Sequence, residues 1–389
     1  MTIRPSDRLV GLDVARCLAL LGMIATHVLE ARDRDGDLLL AQALAGGRAA
    51  ALFAVLAGVS LALMSGRSEP VRGRERVARS AGIAVRAVLI GLLGLYLGGL
   101  ETGIAVILTY YALLFVLGLA FVGLRARALV VWATVIALAV PVLSHLLRPS
   151  LPARDYESPT FDQLDQPGRL LSELLLTGYY PVLPWLAYLL AGMALGRLDL
   201  GDRRVQAAIA VGGGVLATVA TIVSRAATSQ RGVVEALLDG QGSTASSGPQ
   251  LLESISGGLG GTTPTGGAWQ WLLVVAPHSA TPFDLTHTIG SALLVIGAAL
   301  LLAGWLAPVP RRAVAIIFGA GTMTLSLYTL HLVMKTPGVY PPERADTFIV
   351  HVLVVLGVGA VFVAARSRGP LEWLLATVSK RTAALARPR

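Results

Sequence analysis

Residues 9–30 read LVGLDVARCLALLGMIATHVLE, an apolar stretch about as long as a membrane-spanning helix, with an arginine and a histidine inside it. Arg16 and His27 are separated by about three helical turns, so both side chains lie on nearly the same stripe of one helix. The helical rise separates them by about 16 Å, roughly half the hydrocarbon core of a bilayer. Because an ionisable group at membrane depth is costly, this spacing predicts a functional site on the first span.

The composition indicates an integral membrane protein. Of the 389 residues, 54% are hydrophobic and 14% are charged, whereas soluble domains carry about 25% charged residues. The net charge of +9 does not indicate nucleic-acid binding, because the arginines fall in short loops between apolar runs, where they set orientation in a bilayer. Cys17 is the only cysteine, which excludes an internal disulfide and a cysteine-based metal cluster.

Ten apolar runs are each about as long as a spanning helix requires. Since backbone groups within lipid must be bonded internally, we predict an all-α polytopic membrane protein with about ten transmembrane helices. An alternative for the first run is a signal peptide cleaved near residues 43–45, which the charged residues 30–37 disfavour. The runs cover residues 9–30, 47–66, 80–100, 103–123, 128–147, 180–197, 205–224, 284–307, 313–335 and 347–365.

Basic residues follow every even-numbered run, which predicts that these loops and both termini are cytoplasmic. We therefore predict one transmembrane domain over residues 1–389, in a bacterial cytoplasmic membrane. Residues 225–283 form the largest extracytoplasmic loop, which is expected to be flexible, with residues 268–276 returning into the membrane. Residues 366–389 are predicted to form an amphipathic cytoplasmic tail. All six histidines then fall in the outer half or on the outer surface.

Two interpretations of the first span stay open. In one, Arg16 pairs with Asp13 at the membrane surface and His27 marks the outer boundary. In the other, Arg16 holds a cytoplasmic anion whose extended chain runs along the helix to His27, which acts as a general base. An acyl-coenzyme A has that shape, because its phosphates and its thioester lie at opposite ends.

The stretch PHSATPFD at residues 277–284, followed by His287, lies where the large loop enters the eighth run. It is either a helix start capped by Asp284 or a cluster of His278, Asp284 and His287 that faces His27. A metal site is disfavoured, because the spacing of these side chains matches no defensible ligand pattern.

Two further motifs carry polar aromatic side chains near the predicted outer surface. Tyr328 and His331 in the ninth run are three residues apart and share a helix face, where structural hydrogen bonds and substrate contacts are both open. Tyr180 lies in GYYPVLPW at residues 178–185. This motif is either a set of interfacial anchors or a broken helix that exposes backbone groups to a polar cavity.

Together these motifs resemble the transmembrane acyltransferases that include YeiB-type proteins and heparan-alpha-glucosaminide N-acetyltransferase. A more distant likeness is to the membrane acyltransferases that O-acylate surface polysaccharides. The resemblance covers about residues 8–375. It rests on the Arg16 and His27 pair and on four short motifs, YPVLPW at 180–185, PHSATPF at 277–283, SLYTLH at 326–331 and GPLEWL at 369–374.

The resemblance implies transfer of an acyl group, usually acetyl, from cytoplasmic acyl-CoA to a hydroxyl or amine of an extracytoplasmic sugar or cell-envelope acceptor. In the lysosomal enzyme the acceptor-activating histidine lies after the first span, but residues 31–46 contain none, so the identity of the base stays open. The candidate cofactor-binding residues are Arg8, Arg16 and Arg86. The candidate catalytic residues are His27, His278, Asp284 and His331. The candidate substrate-binding residues are Tyr180, His287 and Tyr328.

Two other classes of protein stay open. A transporter or lipid flippase would use Arg16 and the outer histidines as a substrate and proton pathway, and a non-catalytic assembly subunit would need neither. A transporter is expected to show paired broken helices, and an acyltransferase a cavity open to the cytoplasm that narrows near His27. The expected partners are the lipid bilayer and a sugar or envelope-glycan acceptor, with no nucleic acid and no metal, and a homodimer stays open.

Overall fold

A computed structural model describes residues 9–154, 158–239, 245, 247–342 and 344–387. Within these ranges the chain forms sixteen α-helices and no β-strand. They are α1 (Val10–Val28), α2 (Leu40–Ala45), α3 (Arg48–Met64), α4 (Gly73–Gly98), α5 (Leu108–Gly118), α6 (Ala126–Leu147), α7 (Pro167–Ser172), α8 (Val182–Gly196), α9 (Arg203–Thr228), α10 (Arg231–Leu238), α11 (Gly248–Ile255), α12 (Pro282–Trp305), α13 (Pro308–Ile317), α14 (Thr324–Met334), α15 (Phe348–Ala364) and α16 (Pro370–Leu385).

Seven helical segments in the described part of the chain are long and apolar enough to cross a membrane. An eighth crossing follows if Pro167–Thr177 and Val182–Gly196, which bend by 53°, count as one span. The chain is therefore a multi-pass helical membrane protein, as predicted, while the number ten and the orientation of the termini stay predictions. The seven are Val10–Val28, Leu40–Met64, Gly73–Gly98, Ala126–Ser150, Arg203–Thr228, Pro282–Trp305 and Ala345–Ala364.

The predicted run 313–335 is not one helix, so that prediction is wrong. Helix α13 ends at Ile317, a short 3₁₀ segment covers Gly319–Thr322, and α14 begins at Thr324. Close packing explains the break. A Cβ at Gly321 would collide with the carbonyl oxygen of Asp13 in α1, and one at Gly319 would collide with backbone of α15. The break thus lets the backbone approach two neighbouring helices.

The predicted run 103–123 is helical only from Leu108. Side chains satisfy part of the preceding non-helical backbone, and the Ser158 hydroxyl accepts from the Val106 N–H at 2.8 Å and donates to the Ile104 carbonyl at 2.9 Å. Non-helical backbone at membrane depth is tolerated where it is buried in protein. Helices α5 and α14 are therefore both shorter than the apolar runs that contain them.

The ends of the even-numbered runs meet at one face of the bundle, here called the arginine face. The Arg197 guanidinium, only 4% exposed, donates to the carbonyls of Ala62, Arg67 and Val122 at 3.1, 2.7 and 2.7 Å. It thereby joins the ends of two other runs through their backbone carbonyls. The tail helix α16 also reaches this face, where Arg387 pairs with Glu75 of α4 at 2.9 Å.

The opposite face carries the end of α1 at His27 and is called the histidine face. Instead of a flexible loop, the described part of residues 229–281, here called the cover segment, folds around its own small core. Trp271, placed in the predicted membrane return, is buried in that core. Arg148 at the end of α6 fastens the segment by donating to the Thr263 carbonyl at 2.6 Å. The core consists of Leu237, Leu251, Ile255, Trp271, Val274 and Ala276.

Candidate functional site

A cavity of about 90 Å³ lies at the histidine face, between α1, α3 and the two loops that precede α8 and α12. Its polar lining comes from elements far apart in sequence. The cover segment contributes His278 to the lining and also contacts the edge of the cavity, where Gln42 donates to the Gly257 carbonyl at 2.7 Å. The lining residues are Met23, Thr26, His27, Gln42, Ala45, Gly46, Gly47, Ala49, Ala50, Tyr179, Tyr180 and His278.

His27 connects this cavity to two buried histidines. It lies in the last turn of α1, and its Nδ1 is 3.2 Å from Nε2 of His331 in α14, with the two rings stacked within 7°. The other nitrogen of His331, Nδ1, is 3.1 Å from Nδ1 of His351 in α15. Each N···N contact requires one protonated and one unprotonated nitrogen. The structure therefore joins His27, His331 and His351 in a continuous hydrogen-bonded chain.

His278 reaches the cavity from the opposite wall, surrounded by aromatic rings. Its ring stacks on Trp185 within 11°, at a centroid distance of 6.5 Å, and Tyr179 and Tyr180 lie 4.9 and 5.7 Å away. Its backbone has φ +54°, a region that non-glycine residues rarely adopt and that often marks functional sites. Burial lowers the pKa of His278 to about 4. The imidazole is therefore neutral at pH 7.

Asp284 positions the loop that carries His278 and does not line the cavity. Its Oδ2 accepts from the backbone N–H groups of Ser279 and Ala280 at 3.1 and 3.0 Å. The predicted helix start is present, but Thr281 caps it by accepting from the Asp284 N–H at 3.0 Å. The Asp284 carboxylate thus fixes the turn after His278.

His287 lies outside the lining of the cavity, in contrast to its predicted substrate contact. Its Nε2 accepts from Arg48 Nε at 2.9 Å, which leaves the proton on Nδ1, beside the Thr221 hydroxyl at 2.9 Å. Both ring nitrogens therefore have protein partners. In the part of the chain that the structure describes, no group of three histidine, cysteine or acidic residues could hold a metal ion.

The two aromatic substrate candidates differ in position. Tyr180 lines the cavity beside Tyr179, at the break between the bent helices. Tyr328 is not in the lining, and its hydroxyl accepts from the Ile107 N–H at 3.5 Å. That contact joins α14 to the non-helical segment before α5, which is a structural position.

At the other end of α1, Arg16 contacts both Asp13 and Ser60. It donates to Asp13 Oδ1 at 3.2 Å and to the Ser60 hydroxyl at 2.9 Å, and 22% of its side chain is exposed. Arg86 on α4 lies within electrostatic range of Glu372, which attracts it, and of Arg16, which repels it, and its Nε is buried without a hydrogen-bond partner. Arg8 lies outside the described residues. The structure thus brings together two of the three predicted cofactor arginines.

The expected cavity, open at the arginine face and narrowing toward His27, is not the one observed. The lining of the observed cavity does not include Arg16. Between the two positions, Ala19, Leu20 and Ile24 of α1 are fully buried in the core. The arginine pair and the histidine cavity are therefore two separate sites, on either side of this buried part of α1.

Fold and site together define a multi-pass membrane protein with a histidine-lined cavity at one face and an arginine pair at the other. The family model described as heparan-alpha-glucosaminide N-acetyltransferase, catalytic, matches residues 8–228, and the chain belongs to this family. No curated protein matches the chain. Membership indicates a transmembrane acetyltransferase. The matched region contains Arg16, Arg86 and His27, whereas His278 and His331 lie beyond it.

Sequence reasoning missed two groups near these sites. His351 stands alone in the tenth run, and nothing in its sequence neighbourhood indicates that α15 packs it against His331. Tyr179 lines the cavity, although its sequence suggests only a place in an aromatic motif. The two prolines after it are the signal that could identify it, because they predict a broken helix beside a polar cavity.

Proposed function

We propose that this protein transfers an acetyl group from acetyl-CoA, bound at the arginine face, to an acceptor that enters at the histidine face. The acceptor is a hydroxyl or amine of a sugar or cell-envelope component, and the arginine face is cytoplasmic in a bacterial membrane. The observation that carries the proposal is the placement of Arg16 and His27 about three turns apart on one helix, with a polar cavity at His27.

The size of the cavity is compatible with the proposed acyl group. Its volume of about 90 Å³ leaves room beside His27 for a small group such as acetyl. The cofactor phosphates would remain at the other end, where the guanidinium groups of Arg16 and Arg86 provide charge-assisted hydrogen bonds.

Two histidines provide the chemistry in this proposal. His27 Nε2 removes the proton from the acceptor as the acceptor attacks the thioester carbon. The neutral imidazole of His278 donates its N–H to the oxyanion of the tetrahedral intermediate. The intermediate expels the coenzyme A thiolate, which takes the proton from His27, so the histidine returns to its starting state. The hydrogen bonds from the Ser279 and Ala280 N–H groups to Asp284 hold the His278 loop in place during these steps.

The direct test measures acceptor-dependent release of free thiol from acetyl-CoA by the protein in lipid nanodiscs, together with acetyl-CoA binding. We expect His27→Ala to bind acetyl-CoA like the wild type and to transfer acetyl groups about 10²–10⁴-fold more slowly. His145→Ala is the matched control, because that histidine lies on α6 and not in the cavity lining.

The transporter alternative keeps one supporting observation, because the bent α7–α8 pair and the broken α13–α14 pair resemble discontinuous helices of transporters. Wild-type protein that binds no acetyl-CoA but exchanges a solute across the bilayer would overturn the acetyltransferase proposal. Transfer at the wild-type rate by His27→Ala would overturn the assignment of the base.

A further inference from the structure

We infer that His351 is a positioning residue for this reaction, and that it acts through His331 to hold the His27 tautomer whose Nε2 is unprotonated. The inference rests on the proposed function of His27 as the base. It assigns a role to a residue that never touches the cavity, since His351 is absent from the lining.

The first step of the argument is burial. His331 and His351 are 0% and 1% exposed, and a buried polar group is costly unless it is hydrogen-bonded. Both ring nitrogens of His331 have another histidine as their partner, at 3.2 Å on the His27 side and 3.1 Å on the His351 side. The tautomer of His331 is therefore determined by its two neighbours.

The second step is direction. A neutral imidazole has one donor and one acceptor nitrogen, so protons in this chain of three rings all point the same way. If they point away from the cavity, His27 Nδ1 donates to His331 Nε2, and His331 Nδ1 donates to His351 Nδ1. His27 Nε2 is then unprotonated and can act as a base. If they point toward the cavity, His27 Nε2 carries the proton and cannot.

The third step is the charge that develops during the reaction. When His27 Nε2 accepts the acceptor proton, the ring becomes an imidazolium whose Nδ1–H still donates to His331. The His331 Nδ1–H continues to donate to His351, and no proton moves between the three rings. The proton taken up by His27 later leaves with the thiolate. His331 and His351 thus orient His27 as the aspartate of a catalytic triad orients its histidine, but without a negative charge.

The test compares two substitutions at one position. Leu at position 351 fills a similar volume without an acceptor, whereas Asn places its amide oxygen near the position of imidazole Nδ1. We expect His351→Leu to lower kcat by about 10²–10⁴-fold with an unchanged KM for acetyl-CoA, and His351→Asn to restore most of kcat. Equal kcat losses in the two variants, or an effect confined to KM, would overturn the inference.

A second measurement needs no substrate. Nitrogen-15 NMR of histidine-labelled protein distinguishes protonated from unprotonated ring nitrogens, and the chain has six histidines, so single substitutions assign each signal. We expect an unprotonated Nε2 in wild-type His27, and a protonated one in folded His351→Leu. An unchanged His27 tautomer in active protein overturns this inference alone. A wild type that transfers no acetyl group, with the tautomer shift intact, overturns the proposed function alone.

Discussion

Glu372 in the first turn of α16 accepts a hydrogen bond from the Ser326 hydroxyl in the first turn of α14, at 2.5 Å. The same carboxylate accepts from the backbone N–H groups of Leu325 and Ser326 at 2.8 and 3.2 Å. These N–H groups lack helical partners, and a negative charge at a helix N-terminus is favourable. Two motifs from distant parts of the sequence thus meet, and the tail helix fixes the helix that carries His331.

Glu372→Ala should destabilise the protein, because it leaves the start of α14 without its acceptor. Loss of the acceptor in these part-buried hydrogen bonds costs about 1–3 kcal/mol. Thermal unfolding in detergent is measured by the loss of the monodisperse peak in size-exclusion chromatography. Glu101→Ala is the control, since Glu101 is exposed. Equal melting temperatures for the two variants would contradict the capping role.

Arg16→Ala should weaken acetyl-CoA binding while the fold is retained. A lost charge-assisted hydrogen bond costs about 1.5–3 kcal/mol, which corresponds to a Kd roughly 10- to 150-fold higher. Isothermal titration in nanodiscs measures the change, and Arg127→Ala provides an exposed arginine on the same face as the control. If the two variants bind equally well, the cofactor does not contact Arg16.

The orientation of the bundle can be tested by cysteine labelling. Cys17 is buried and is the only native cysteine, so Cys17→Ala provides a suitable background. Arg74→Cys and Arg231→Cys place thiols at exposed positions in the first turns of α4 and α10, on opposite faces. An impermeant maleimide added to intact cells should label position 231 and leave position 74 unlabelled until lysis. The reverse pattern would refute a cytoplasmic arginine face.

His278 should make stability depend on pH. Its pKa is about 4 in the folded protein and ordinary, near 6.5, in the unfolded chain. Between these values the unfolded chain binds more protons, so stability is complete above pH 6.5 and decreases as the pH falls toward 4. His278→Phe keeps an aromatic ring against Trp185 but removes the imidazole that titrates. Its melting temperature should therefore fall less between pH 7 and pH 5 than that of the wild type.

The sequence predicted those features that depend on local spacing. The common stripe of Arg16 and His27 follows from helical periodicity, and the seven long spans follow from apolar length. It did not predict features that depend on contacts between distant elements. The break before α14 requires Gly321 to lie against Asp13, and a run of apolar residues contains no sign of that contact.

Arg197 shows the same limit for a charged residue. Its place after the sixth run is typical of an exposed cytoplasmic arginine, yet the structure buries it among carbonyls from the ends of two other runs. Hydropathy and charge patterns describe the average surroundings of a loop. They do not report which helix ends converge on one side chain, because this depends on how the helices pack.

Helix α14, which carries His331, is much shorter than a membrane-spanning helix. Eleven helical residues span about 16 Å, which is about half the hydrocarbon thickness of a bilayer. Polar groups stand at both ends of α14, Glu372 at one and His331 at the other. Under the proposed function, the acetyl group would have only this distance to cover, while coenzyme A would stay on its own side.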